Sequence, residues 1–149
     1  IIVTATGLDL RVLGDVEISV DDQPVDISKT FSYKSMMFSD VPNLVSTFGY
    51  INASWTLKAD LTAEYSCRLL NHMAETGTRQ CTPRLQEQNM VDKDWIDGFS
   101  SGYIQRKIHL LPKQGTESPW LNTQNYALDK KVIRKGPIED GVLQFTNKA

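Results

Sequence analysis

The sequence predicts an α+β fold in which short strands accompany one long helix and two shorter helices. The long helix is indicated by apolar side chains that recur every four residues between positions 54 and 76. The strands are indicated by short apolar runs that end at glycine, proline or aspartate. The 149 residues match one domain, since domains usually have roughly 100–200 residues, and we predict a single domain over residues 1–149.

The first predicted strand covers residues 1–5, which are almost entirely apolar and end at the turn signal Thr6-Gly7. A strand of this composition is typically buried and needs hydrogen-bonding partners on both edges. The chain also opens on Ile1 rather than methionine. We therefore predict that it is a fragment of a longer protein.

Two further patterns predict strands before the long helix. Residues 16–20 alternate apolar and polar side chains, and the turn at 21–24 that follows them predicts a hairpin. Residues 44–48 form a short apolar run that ends at Gly49, which predicts a second buried strand.

The long helix is predicted from Ser54 to Thr76, with Gly77 as its stop and Asn52 or Ser54 as its cap. Its repeating apolar side chains are Leu57, Leu61, Tyr65, Leu69 and Met73.

The remaining chain is predicted to hold two shorter helices and a last strand. Residues 80–102 are predicted to be rich in loops, with at most one short strand or turn within 83–91. The helices are predicted over residues 103–111 and 122–135, and the strand over 142–145.

The charge of the chain excludes binding to nucleic acid through a strongly basic surface. Its 16 Lys and Arg face 18 Asp and Glu, for a net charge of −2. The net charge is −6 over residues 1–99 and +4 over 100–149, so the two parts attract each other. No apolar run approaches the roughly 18 residues of a membrane span, no signal peptide is recognisable, and we predict a cytoplasmic protein.

The side chains that could bind metals or act as nucleophiles form no recognised motif. Cys67 and Cys81 allow one disulfide, but a reduced pair is the preferred interpretation. His72 and His109 lie far apart in the sequence and outside any ligand spacing. The acidic residues Asp92, Asp94 and Asp97 are interpreted as a solvated surface rather than a cation site, so no metal is predicted.

The start of the long helix is the most suggestive local feature. Unpaired backbone N–H groups at a helix start carry partial positive charge and favour an anion or an electron-rich carbonyl. Gly49, immediately before this start, allows a ligand to approach the backbone closely.

In its order of segments the chain resembles flavin-dependent class B monooxygenases of the Baeyer–Villiger type, specifically their ethionamide-activating branch. The likeness covers nearly all 149 residues. The segments that carry it are Thr4-Ala5-Thr6-Gly7, Pro42-Asn43-Leu44, Phe48-Gly49-Tyr50, Asn52 to Lys58, Lys107 to Gly115, Pro119-Trp120 and Gln124-Asn125-Tyr126.

The resemblance implies that the chain is the C-terminal part of the FAD-binding domain plus a tail, within a Rossmann-like flavoprotein that has two dinucleotide-binding sites. The family's two glycine-rich fingerprints, its signature histidine motif and its catalytic arginine would all lie upstream, and no Gly-x-Gly-x-x-Gly occurs here. The resemblance therefore assigns no catalytic residue to this chain and implies that it is inactive when isolated.

The cofactors implied by the resemblance are FAD and NADP, bound in the parent enzyme rather than by this chain alone. The parent would use NADPH to reduce FAD and a C4a-peroxyflavin to oxygenate ketones or sulfur compounds. The resemblance places two groups of residues near the cofactors: Thr6, Gly7 and Asp9 at the domain junction, and Tyr50, Asn52, Ala53, Ser54, Trp55 and Thr56 beside the flavin. Trp55 would line the substrate pocket or simply pack.

Two other hypotheses remain open from the sequence. The chain could be a stand-alone binding or interaction domain that dimerises through exposed strand edges. It could also be a small hydrolase that uses His72 or His109, which is the weakest of the three hypotheses.

Overall fold

The longest element of the computed structural model is the helix α1 (Trp55–Thr76), as the apolar repeat predicts. The structure describes residues 1–86, 93–98 and 100–147. Gly77 ends α1 in the left-handed conformation with φ of 67°, which a residue without a Cβ adopts at little cost. Ser54 stands at the N-cap position but makes no capping hydrogen bond through its side chain.

In the described residues the strands form four separate two-stranded antiparallel pairs. The pairs are β1 (Ser19–Val20) with β2 (Gln23–Pro24), β3 (Ser32–Tyr33) with β4 (Met37–Phe38), β5 (Gln80–Pro83) with β8 (Leu143–Thr146), and β6 (Lys93–Asp94) with β7 (Lys113–Gln114). The first pair confirms the predicted hairpin. The last strand is confirmed with a shift of one residue, and its partner lies in the region predicted to be rich in loops. Together these elements confirm the α+β class.

The two shorter helices are α2 (Gly102–Gln105) and α3 (Tyr126–Lys135). The predicted helix over 103–111 is correct only near its start, because Lys107 leaves helical geometry and a separate 3-10 turn follows at Ile108–Leu110. The predicted helix over 122–135 begins later than expected. Asn125 starts it as an N-cap, with its side-chain oxygen accepting a hydrogen bond from the backbone N–H of Leu128 at 3.2 Å.

The predicted buried strand at residues 1–5 is wrong. These residues are exposed and form no strand, and Ile1, Ile2 and Val3 present large apolar side chains to solvent. A strand needs a neighbour that supplies backbone hydrogen bonds, and no described segment pairs with residues 1–5.

The predicted strand at residues 44–48 is also wrong, because the segment is an irregular, partly buried connection. The segment and the residue before it are hydrogen-bonded to other parts of the chain at single points, without the ladder of hydrogen bonds that defines a strand. The backbone N–H of Ser46 donates to the carbonyl of Met36 at 2.8 Å. Just before the segment, the backbone N–H of Asn43 donates to the Cys81 carbonyl at 3.0 Å, while the Asn43 Oδ1 accepts from the Cys81 N–H at 2.9 Å.

The buried apolar side chains form two clusters. The larger one joins α1 to β3, β4, α3, β5 and β8, and the smaller one consists of Trp95, Ile96, Ile104 and Leu111. Cys67 is exposed, Cys81 is buried in the larger cluster, and neither is in a disulfide. Among the described residues, none of the helices is long and apolar enough to cross a membrane. Most of the predicted strand or turn within 83–91 lies outside the described residues.

Candidate functional site

An apolar cavity of about 230 Å³ opens beside the start of α1. Its inner wall is aromatic: the Phe48 ring lies 4.9 Å from the Trp55 ring and 4.6 Å from the Trp95 ring, centroid to centroid. Residues 10–14 form the outer wall, and Leu10 and Val12 also pack against the smaller cluster. The cavity therefore lies where the N-terminal segment meets the residues that precede α1.

Gly49 sets the position of Trp55 on this wall. A Cβ built at Gly49 would overlap the indole of Trp55, so the ring lies directly against the backbone. Trp55 remains 54% exposed and covers one side of Phe48. The glycine is required here for close approach rather than for an unusual φ.

We expect Gly49→Ala to displace the Trp55 ring from Phe48 and to lower the free energy of unfolding by about 1–3 kcal/mol, as overpacked sites do. The measurement is chemical denaturation together with tryptophan fluorescence, which should shift to the red as Trp55 becomes more exposed. Gly102→Ala is the control for glycine substitution, because its backbone is outside the left-handed region and the added Cβ meets only the end of the flexible Arg106 side chain, at 3.4 Å. A Gly49→Ala variant with unchanged emission would contradict the assigned contact.

The turn before α1 is fixed by Gln124 and leaves the helix start open. The backbone N–H of Ile51 donates to the Gln124 Oε1 at 2.9 Å, and the Asn52 Nδ2 donates to the Gln124 carbonyl at 3.2 Å. The hydroxyls of Ser54 and Thr56 bond each other at 2.7 Å. None of these hydrogen bonds caps the first turn of α1, and residues 52–56 around it are exposed.

Tyr50 is buried and serves a polar cluster behind this turn. Its hydroxyl donates to the Asp129 Oδ2 at 2.8 Å, and the Lys58 Nζ donates to the same oxygen at 2.9 Å. The Thr123 hydroxyl donates to the Asp129 Oδ1 at 2.6 Å. Burial lowers the pKa of Lys58, although the carboxylate opposes the shift. Burial also raises the pKa of the Tyr50 phenol, and the bond to Asp129 adds to the rise.

A second buried ion pair ties β3 to the chain before β8. The Lys34 Nζ lies 2.9 Å from the Asp140 Oδ2. The same oxygen accepts a hydrogen bond from the Tyr33 hydroxyl at 2.6 Å. Burial raises the pKa of Tyr33 far above that of free tyrosine, and the neighbouring Tyr65 phenol and Asp140 add to the rise. Burial by itself raises the pKa of Asp140, but hydrogen bonds from Tyr33 and Lys34 outweigh it and lower that pKa.

The three predicted site residues near the N-terminus, Thr6, Gly7 and Asp9, are not brought to the start of α1. Asp9 lies 3.3 Å from Arg11 and 3.3 Å from Lys107, on the side of α2. Thr6 and Gly7 are exposed, and Gly7 has φ of 82°. The structure therefore brings Tyr50 and residues 52–56 together at one turn and leaves these three in an exposed segment that leads to the cavity.

In the part of the chain that the structure describes, no hydrogen bond joins the side chain of either histidine to a serine, threonine or cysteine. The His72 Nε2 lies 3.2 Å from the Glu139 carboxylate, and its ring packs edge-on against Phe145. His109 is exposed. Of the predicted acidic surface, Asp94 and Asp97 are exposed, and Asp92 lies outside the described residues. The described part of the chain contains no group of three side chains able to hold a metal.

No motif in the sequence points to the buried charges or to Trp95. One signal was present: Lys58 precedes Leu61 by three residues and therefore lies on the apolar face of α1. A lysine at such a position predicts a buried counter-ion. Its partner Asp129, 71 residues later, could not be identified without the tertiary structure.

Comparison with known proteins finds relatives along nearly the whole chain. It is 43% identical over 148 residues to the "Probable FAD-binding monooxygenase AlmA" of Acinetobacter baylyi, covering 99% of this chain and 30% of that protein. It is 44% identical over 148 residues to the FAD-containing monooxygenase EthA of Mycobacterium tuberculosis, with the same two coverages. EthA of Mycolicibacterium smegmatis is 42% identical over 146 residues, covering 98% of this chain and 30% of that protein.

The chain thus spans about 30% of the length of these relatives. No family model and no solved structure matches it.

Proposed function

Since this chain belongs to the same family as the FAD-containing monooxygenases, we propose that it is the C-terminal part of such an enzyme. The single observation that carries the proposal is the identity of 43% to 44% over 99% of the chain. The order of segments that resembles Baeyer–Villiger monooxygenases supports the finer assignment. In this proposal residues 1–149 are the end of a Rossmann-like FAD-binding domain and its tail.

The residues at the start of α1 fit one edge of a flavin. The first turn is exposed and uncapped, so the backbone N–H groups of Trp55 and Thr56 are available to an external acceptor. The partial positive charge of a helix start favours the negative charge that a reduced flavin carries. Asn52, Ala53 and Ser54 would border the ring, while buried Tyr50 would hold the turn through Asp129.

When bound, FAD would accept electrons from NADPH and activate dioxygen for transfer to a ketone or a sulfur compound. This chain's own contribution would be to orient the ring at the start of α1 and to exclude water through the aromatic wall of Phe48, Trp55 and Trp95. Thr6, Gly7 and Asp9 would lie where the NADP-binding part joins. The segments that bind both dinucleotides would belong to polypeptide outside this chain.

The exposed apolar residues 1–5 support a larger parent sheet. Ile1, Ile2 and Val3 expose large apolar side chains, which is unfavourable unless another segment covers them. In the proposed parent they would pair with a neighbouring strand. The free thiols of Cys67 and Cys81 are compatible with the proposed cytoplasmic setting.

The proposal is tested by producing residues 1–149 alone and joined to the polypeptide encoded upstream of Ile1. The longer protein should be yellow, release FAD on denaturation and oxidise NADPH, whereas the short chain should be colourless and inactive. A longer protein without flavin would overturn the proposed family function. A short chain that retains FAD would overturn its proposed inactivity.

A pair of variants in the longer protein tests the role of the helix start. Thr56→Pro removes one backbone N–H in the first turn, where proline is tolerated, and should weaken FAD retention about tenfold, as expected for one lost hydrogen bond to a charged group. Thr56→Val is the matched control because it keeps the N–H while removing the hydroxyl. Equal retention by both variants would show that the N–H does not face the flavin.

The exposed residues 1–5 also support the alternative of a stand-alone domain that dimerises through strand edges. Light scattering on the short chain separates the two: a stable dimer with a continuous sheet favours the interaction domain. A disordered aggregate favours the excised part of an enzyme, whose strand edges and apolar residues are left uncovered.

A further inference from the structure

Three consecutive residues before α1 are each hydrogen-bonded to one short segment late in the chain. Gln124 accepts the Ile51 backbone N–H through its Oε1 at 2.9 Å and the Asn52 Nδ2 through its carbonyl at 3.2 Å. The Tyr50 hydroxyl donates to Asp129 at 2.8 Å. The bonded partners lie 72 to 79 residues apart. The conformation of this turn therefore depends on the late segment and not only on the turn's own residues.

Gln124 adopts a backbone conformation that is unfavourable for its residue type. Its φ is 47°, in the left-handed region that glycine and asparagine enter more readily. Backbone strain of this kind persists only where the surrounding structure maintains it, and it is concentrated at functional sites. In this conformation both the carbonyl and the side-chain amide of Gln124 bond to the turn.

The orientation of the Gln124 amide is determined by the buried side chain of Asn122. The Asn122 Nδ2 donates to the carbonyl of Trp95 at 2.9 Å, which leaves the Asn122 Oδ1 as an acceptor. The Gln124 Nε2 donates to this Oδ1 at 3.0 Å, so the Gln124 Oε1 faces the Ile51 N–H. The acceptor presented to the turn is thus set by a chain of hydrogen bonds inside the protein.

We propose that Gln124 is a positioning residue for the flavin, an inference that rests on the proposed function. By holding Ile51 and Asn52, it places the first backbone N–H groups of α1 where they stabilise the negative charge of the reduced ring. Gln124 acts through the turn and not by contact with the cofactor. Its removal therefore destabilises reduced FAD more than oxidised FAD and lowers the reduction potential.

The test measures the reduction potential of FAD in the longer protein, which includes the polypeptide encoded upstream of Ile1. Gln124→Met keeps the length of the side chain and leaves the Ile51 N–H without its acceptor. We expect the preference for reduced over oxidised FAD to fall about tenfold, comparable to the loss of one hydrogen bond, which is about 30 mV for a two-electron couple. The Ile51 amide should also exchange its hydrogen faster than in wild type.

Two further variants separate positioning from stability. Asn125→Ala is the matched control, because it removes the side-chain cap of α3, and within the described residues Asn125 makes no hydrogen bond to the turn. It should lower the unfolding midpoint and leave the potential unchanged. Gln124→Asn suits the left-handed backbone but shortens the reach towards Ile51 by one methylene, and it should lower the potential as Gln124→Met does.

The outcomes distinguish this inference from the proposed function. A flavin-containing wild type whose potential is unchanged by Gln124→Asn would overturn the positioning role alone, even if Gln124→Met fails to fold. Equal shifts in the Gln124 variants and in Asn125→Ala would also overturn it, because the potential would then follow stability. A longer protein without flavin would overturn the proposed function and this inference together.

Discussion

Replacing Asp129 with alanine is expected to lower the free energy of unfolding by about 3–5 kcal/mol, because it leaves a buried lysine without its counter-ion. Lys58 is 2% exposed. Within the described residues, the Lys58 Nζ makes one other hydrogen bond, to the carbonyl of Lys34 at 3.3 Å. The substitution also removes the acceptor of the Tyr50 and Thr123 hydroxyls. Urea denaturation followed by circular dichroism measures the loss.

The matched control is Asp60→Ala, which removes a carboxylate of α1 that pairs with Arg134 of α3. The Asp60 side chain is 65% exposed, and an exposed pair contributes about 0–1 kcal/mol. Both variants thus remove one ion pair between the same two helices. Similar losses in the two variants would show that burial of Lys58 and Asp129 does not govern the stability of this contact.

Replacing Asp140 with asparagine is expected to cost about 3 kcal/mol at neutral pH, since the buried Lys34 ammonium loses its charge partner. The variant should also lose acid sensitivity. The folded pKa of Asp140 is lowered from 3.8, so its stabilising contribution is present above the pKa of the unfolded chain. That contribution is lost as the pH falls through this value towards the folded pKa.

Denaturation of wild type and Asp140→Asn at several values between pH 7 and pH 3 measures this difference. The gap in unfolding free energy should be largest near neutral pH and should narrow below about pH 4, where the unfolded carboxylate takes up its proton. Asp40→Asn, which alters an exposed pair with Arg84, is the control and should change little at any pH. A gap that widens in acid would contradict the assigned direction of the Asp140 pKa.

The two strands that were predicted incorrectly share a physical cause. Residues 1–5 and 44–48 have the apolar composition of buried strands, but composition indicates only a tendency towards burial and does not supply a hydrogen-bonding partner. In the structure the first segment pairs with no described strand, and the second is joined at one point, where the backbone N–H of Ser46 donates to the Met36 carbonyl. The β5–β8 pair shows the converse, because residues 80–83 form a strand through contact with a segment about 60 residues later.

By itself, the sequence determined the elements that depend on residues close together in the chain. These are the apolar repeat along α1, its stop at Gly77 and the hairpin at residues 16–24. The likeness to flavin-dependent monooxygenases also came from the sequence, because it rests on the order of short motifs. Only the tertiary structure decided which charges are buried together, which short segments pair, and that Trp95 lines a cavity beside the start of α1. These features join residues that are distant in sequence, and their energies depend on burial, which exists only once the chain has folded.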